Sequence, residues 1–488
     1  MLMKRITCLG LVVVAGVAAG CLVSCSSAPL RSTATSPVAR WHFVGAAQLQ
    51  SQTLAPALAA VLNGTNSAPA ADRLATNLVR VLWQRVGGRE EAQATAVLAP
   101  LMRDLLRYES TGEVTANGWR LNVKLPANRW PQWQQAQGAL AGLSVGTTGT
   151  VLSYTNGWLT AGAGGAVGAG GPALTNGAVL AGEADLARIF GGATAPWPRA
   201  RLGASLVGGK VLTQASLDFS TPPIKALPAW RLPERMAHGP FSQFVAVRGI
   251  DELAGRVNWW RESFGGHPPD QMFAWAQPEV PFRNWVAVPT ADATGDLGRW
   301  FALAKEVFSP AAGRSGRAAM ATNNTAFAVF DTLKGLQPVV TQVKQGGDTF
   351  LLGSLYPADK STNSISASLR RRLAEKDLVY QDAEFTPESV EHWNVLFQVN
   401  QILQSHLPNA RNARAHAWMI DNRAVLGDSE TVVRQVTPNR YALERTSSAG
   451  VTGLELVLLT RWLDGNDLQF RRGNLPPTPP DSTPRAKP

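Results

Sequence analysis

Glu388, Glu391 and His392 stand at i, i+3 and i+4 of a run opening Thr386-Pro387, a spacing that lines all three along one helical face, near enough to share a metal ion. His406 and His416 are the nearest candidates for further ligands. Acids in a first turn are what the positive end of a helix favours on its own account, and neither HExxH nor HxxEH occurs. The trio therefore reads as a helix start, and no metal is expected. Gly142-Leu143-Ser144-Val145-Gly146 spells the G-x-S-x-G of a nucleophile elbow, which needs a strand before the serine and a helix after it. Here a helical pattern precedes (127–141) and a strand pattern follows (150–154), so Ser144 belongs to a glycine-rich helix exit. Gly168 to Ala173 fits G-x-G-x-x-A, with Glu183 or Asp185 further on. The glycine-rich run 162–171 and Pro172 are too loose for the compact strand-turn-helix that cradles a pyrophosphate, and they read as a flexible loop. His42, His238 and His267 stand alone. No catalytic residue and no cofactor is expected.

Sixteen tryptophans against five tyrosines is a lopsided ratio. Trp119, Trp285 and Trp418 fall in strand-like runs and Trp300 and Trp462 in helical ones, which is core use. Trp259 and Trp260 differ, because adjacent residues on any element cannot both point inward. They are the candidate platform for stacking on a sugar ring.

The remaining reactive residue type is cysteine. The chain has three, Cys8, Cys21 and Cys25, all in its first 25 residues, so the body can form neither a disulfide framework nor a thiolate metal site. Lys4 and Arg5 precede an apolar run, Ile6 to Gly20, of the length used by secretory leaders. The run closes on Leu22-Val23-Ser24-Cys25, with leucine three places before a cysteine and a small residue just before it, the pattern of a bacterial lipoprotein signal. Cys25 is then the acylated residue, its sulfur carrying a diacylglyceryl thioether, and two or three acyl chains give stable anchoring where one is marginal. Cys21 is a competing site with a poorer leading residue, Ala18. The alternative reading is an uncleaved anchor, for which Ile6 to Val23 is nearly long enough.

These residues need elements to hold them. Asn156-Gly157, Gly208-Gly209 and Asp421-Asn422 suit two-residue hairpin turns. Thr386-Pro387-Glu388 starts a helix, with a hydroxyl cap, proline at the first position and an acid in the first turn. Helical periodicity also runs through 89–109, 294–308 and 453–463. Strands joined by short turns and interspersed with helices predict an α+β fold. WHFVGAAQL (41–49) and QFVAVRGIDEL (243–253) open alike, and both halves then run strand, helix, hairpin: WRLNVKL to WLTAG in one, LVYQDAEF to RAVLG in the other. Two duplicated halves are expected, each a mixed or mostly antiparallel sheet with helices packed on one face. The boundaries are a signal peptide over 1–24, a flexible tether over 25–40 and a first domain over 41–220. A proline-rich linker over 221–240, a second domain over 241–470 and a disordered proline-rich tail over 471–488 follow.

Only 17% of the 488 residues are charged and 45% are hydrophobic, which excludes a disordered or collagen-like chain. The formal charge is +11, or +9 once Lys4 and Arg5 leave with the leader. Outside the cytoplasm such a balance meets anionic lipid and acidic polysaccharide, and no nucleic acid. The densest cluster, Arg370-Arg371-Arg372, closes a helix, where cations offset its dipole.

The opening FVGAAQL, the closing TGLELVLLTRWLDG (452–465) and the leader together resemble an uncharacterised family of exported verrucomicrobial lipoproteins. The resemblance spans most of the chain, and the 162–171 run looks like an insertion against it. It implies a location and carries no site residues. The expectation is a non-enzymatic envelope lipoprotein that presents a binding or scaffolding surface to an envelope protein or polysaccharide. One alternative is a binding module for an anionic or saccharide ligand. The other is a hydrolase whose site is assembled from distant residues.

Overall fold

The computed structural model describes residues 37–465 apart from internal stretches, the longest being 309–319, 330–338, 355–364 and 404–413. The leader with Cys25, the tether up to residue 36 and the 471–488 tail lie outside the described residues. No helix among the described residues is long and apolar enough to cross a membrane.

The fold is α+β, with one antiparallel sheet of eighteen strands. Residues 37–220 supply β1 (Ala39–Phe43), β2 (Ser110–Thr115), β3 (Gly118–Lys124) and β4 (Thr150–Thr155), then β5 (Trp158–Gly164), β6 (Ala178–Asp185), β7 (Arg199–Val207) and β8 (Lys210–Asp218). They pair in the order β4-β5-β3-β2-β1-β6-β7-β8. Later residues supply β9 (Gln243–Arg248), β10 (Gln271–Ala276), β11 (Asn284–Thr290), β12 (Met320–Thr322) and β13 (Ala326–Val329). They also supply β14 (Val339–Gln345), β15 (Asp348–Ser354), β16 (Leu378–Phe385), β17 (Asp428–Thr437) and β18 (Arg440–Ser447). Their order is β18-β17-β16-β9-β10-β11-β15-β14-β13-β12. β8 pairs with β18 from Arg440 opposite Asp218 to Ser447 opposite Val211, and this seam makes the two runs one sheet.

Local sequence accounts for much of this. Asn156 and Gly157 have φ of 52° and 80°, and Gly208 and Gly209 of 57° and 81°, the positive pair that a two-residue hairpin requires. Alternation sets the faces: β2 buries every second residue. Where Trp41 crosses β2 the facing residue is Gly112, and a Cβ there would come within 2.0 Å of the indole.

One face of β1–β8, carrying Trp41, Val114, Trp119, Leu121 and Val123, packs under the helices Ser67–Arg85 and Glu91–Arg107. The opposite face is polar. Glu183 there is ringed by Arg40, Arg199 and Arg201, and His42 lies 3.1 Å from Glu109. The second run is covered on both faces. Helices Asn258–Ser263 and Ala293–Phe308 hold an apolar layer against β11 and β15. On the other side Phe244, Phe273, Trp285 and Phe350 form a core, where burial is worth about 1.5–3 kcal/mol per side chain.

That core is closed by the proline-rich stretch. Trp230, Leu232, Met236 and Ala237 pack onto it, and Arg248 clamps it. The Arg248 guanidinium donates to the carbonyls of Pro228 and Leu378 at 2.7 Å and Lys376 at 2.6 Å, and lies 4.8 Å from the Trp230 ring.

One expected hairpin is a helix. Asp421-Asn422 ends Arg414–Asn422, so Trp418 is helical, and the turn between β17 and β18 falls at Pro438-Asn439 instead. Ala415, Met419 and Asn422 are its buried positions, a helical spacing, and the carboxylate of Asp464 accepts from the free amides of Ala415 and His416 at 3.0 and 2.9 Å.

Candidate functional site

A cavity of about 780 Å³ lies where the two runs meet, within the roughly 300–1,000 Å³ of small-molecule sites. Its floor is the face of β16 carrying Gln381, Ala383 and Phe385, with Phe244 beside it. Helix Ala367–Leu373 forms one wall, the first residues of β17 another, and Lys210 at the tip of the β7-β8 hairpin reaches its edge. Ser366 starts that helix by accepting from the amide of Leu369, so Arg371 and Arg372 follow one and a half turns later on the cavity side.

The polar groups of the wall are knitted together. Arg372 donates to Glu375 at 3.1 Å and to Glu430 at 3.4 Å, and Arg434 donates twice to the other oxygen of Glu375 at 3.1 and 2.8 Å. Burial lifts the Glu375 carboxyl, but the bonds and charges of Arg434 and Arg372 outweigh it and leave the group below its ordinary value. Gln381 is fully buried. Its amide nitrogen donates to Glu430 at 3.1 Å, and its Oε1 has no partner among the described residues. Phe385, the last residue of the floor, is 41% exposed.

Alternation along β16 sends Tyr380, Asp382 and Glu384 to the opposite face, under the helices Thr386–Leu403 and Gly453–Leu463. One guanidinium there bonds one carboxyl, Glu455, and feels the charge of a second, Asp382. Arg445 donates to Glu455 at 2.7 Å and to Thr431 at 2.9 Å. Glu455 also completes the capping box with Thr452. Glu384 accepts from Thr386 at 2.9 Å, Ser389 at 2.7 Å and the amide of Gly453 at 2.6 Å, which ties both helix starts to the sheet. Asp382 takes the phenol of Tyr380 at 3.2 Å and the amide of Gln243 at 3.4 Å. Burial is the first cause of the shifts: Asp382 is lifted to about 6, and Glu384 to about 7 with help from the Asp382 charge. Burial also raises Glu455. These acids resemble a general acid–base pair in proton affinity, yet each is under 10% exposed and held by protein donors.

The residues singled out in the sequence are not brought together. Glu391 ion-pairs with Arg423, and His392 is buried with Nδ1 3.4 Å from the hydroxyl of Ser242, burial lowering its proton affinity. Ser242 is 1% exposed, which shuts this serine–histidine contact away from any substrate. The amide of His416 is held by Asp464, and burial lowers the affinity of its ring for a proton. Ser144, His406 and 165–171 lie outside the described residues, and no cluster of three metal-ligating side chains occurs among the described ones. Glu183 serves three arginines, and Asp185 pairs with Arg188. Trp260 packs against Phe264 and Trp300 with ring centroids 5.0 and 6.2 Å away, while the side chain of Trp259 lies outside the described residues. The cavity and the acid cluster have no motif, because their members come from elements far apart in the chain. The one signal was Asp382 and Glu384 at i and i+2 of one strand, which places both on one face.

Set against known proteins, the chain matches no family model, no curated protein and no solved structure.

Proposed function

We propose that this chain is an exported, lipid-anchored protein of the cell envelope that holds a ligand or partner without transforming it. The observation behind this reading is the separation of reactivity from access. The carboxyls with raised proton affinity are under 10% exposed, and Glu384, which borders the open cavity, has both oxygens held by Thr386, Ser389 and Gly453, whereas the rest of the wall offers ion pairs, amides, hydroxyls and phenyl rings, groups that bind rather than react. The leader ending Leu22-Val23-Ser24-Cys25 supports export and acylation, and the resemblance to exported lipoproteins agrees with it.

The body is, in this reading, a duplication. Support comes from the pairing order, since β14-β15-β11-β10-β9-β16-β17-β18 repeats β4-β5-β3-β2-β1-β6-β7-β8 strand for strand, with β13 and β12 added at the far edge. Mass spectrometry of the native N-terminal peptide tests the location: a diacylglyceryl Cys25 is expected, and a chain keeping Met1 overturns it. Cys25→Ser is expected to move the protein from the membrane to the soluble fraction. For binding, native mass spectrometry of envelope-purified protein is expected to show a non-protein mass released unchanged on unfolding. Release of a chemically altered product would overturn the non-enzymatic reading.

A further inference from the structure

We infer that the cavity over β16 takes an uncharged, hydroxyl-rich ligand, a saccharide of a few rings. This rests on the reading of the body as a binding protein and adds the chemistry of what is bound.

Charge decides the class. Lys210, Arg371 and Arg372 face Glu375, Asp428 and Glu430 around the cavity, and the fourth acid, Glu384, is buried, held by Thr386, Ser389 and Gly453 and lifted to about 7, so the wall is close to balanced. Arg372 lies between Glu375 and Glu430, which satisfies its charge within the wall. A polyanion would meet Asp428 and Glu430 at the same rim as the arginines, and a polycation would meet Lys210 and Arg371. A hydroxyl donates to a carboxylate and accepts from a guanidinium, so a polyol matches a wall where the two alternate.

Two further features point the same way. Phe385 ends the floor with an exposed ring, and Phe241, Phe244 and Leu369 also line the cavity, apolar surface suited to the C–H face of a pyranose. Gln381, wholly buried, lines the floor with an amide oxygen that has no partner among the described residues. A buried acceptor of this kind is normally satisfied, and a ligand hydroxyl is the donor the site lacks.

The test uses the full chain in a sugar-free zwitterionic detergent, titrated calorimetrically with maltotriose, cellotriose and chitotriose, and with trigalacturonate as the acidic probe. At least one neutral trisaccharide is expected to bind, with affinity unchanged between about 50 and 500 mM salt. Phe385→Ala and Asp428→Asn, both at exposed side chains, are each expected to weaken it about tenfold or more, the equivalent of about 1.4 kcal/mol. Circular dichroism confirms that both variants fold. Failure of all three neutral probes overturns the saccharide inference, as does binding that survives both substitutions. Salt-sensitive binding of trigalacturonate alone overturns it too, while leaving the protein a binder. If no probe binds and the native protein carries no bound mass, the binding reading falls with it.

Discussion

Glu384→Gln removes a carboxyl that the fold keeps protonated and leaves its shape in place. The side-chain oxygen that accepts from Thr386 and Gly453 is retained, and the Ser389 hydroxyl can turn to accept from the new amide. The carboxyl sits at about 7 in the folded protein, against an ordinary value of 4.5, chiefly through burial. A raised value means that the stability contributed by the protonated group is complete below about pH 4.5 and is lost as pH climbs through 7. At about 1.36 kcal/mol per unit, ionising Glu384 costs the fold about 3 kcal/mol by pH 8. Asp382, raised to about 6, adds a similar loss over a slightly lower range. The two do not add in full, because the Asp382 charge is part of what lifts Glu384. Urea unfolding of wild type and variant at pH 5 and pH 8, followed by tryptophan fluorescence, checks this. Wild type is expected to be less stable at pH 8 than at pH 5, with the variant recovering about 3 kcal/mol at pH 8 and showing a flatter pH dependence. A variant less stable than wild type at pH 8, with the slope unchanged, would refute the reasoning. The carboxylate would then be a charged anchor for two helix starts.

Two other substitutions probe the frame. Arg445→Leu strands Glu455 as a buried unpaired acid and is expected to cost roughly 3–5 kcal/mol in the same urea assay. Adding Glu455→Gln, which keeps the capping box, should return at least half of that, and no recovery would mean that the arginine acts mainly through Thr431. Gly112→Ala drives a methyl into the Trp41 ring and is expected to lose about 1–3 kcal/mol, with a changed tryptophan emission. An unchanged emission and stability would mean that the indole moves aside freely.

What the sequence made legible were features written within a few residues. Asn156-Gly157 and Gly208-Gly209 turn where they were expected to, a helix begins at Thr386 as its Thr-Pro-Glu start predicts, and the periodic run 453–463 is a helix. The helix Arg414–Asn422 was misread because its capping acid, Asp464, lies far along the chain and its run AHAWMI alternates like a strand. The stretch 221–240 has the composition of a spacer, yet its apolar residues are fixed by Arg248, a contact that no local pattern encodes. The acid cluster draws on β16, β18 and the start of a later helix, so only the Asp382, Glu384 alternation foreshadowed it.

The junction of β8 with β18 has a consequence for how the chain matures. β8 is complete at residue 218, but its neighbour ends at residue 447, so a chain that folds its first eight strands before the last hairpin is made would present β8 as a bare margin with unsatisfied amides and carbonyls. Such a margin recruits any strand at hand, including β8 of a second nascent molecule. Chains truncated before residue 440 should therefore aggregate or dimerise through β8, and the last hairpin serves as the chain's own stopper against that fate.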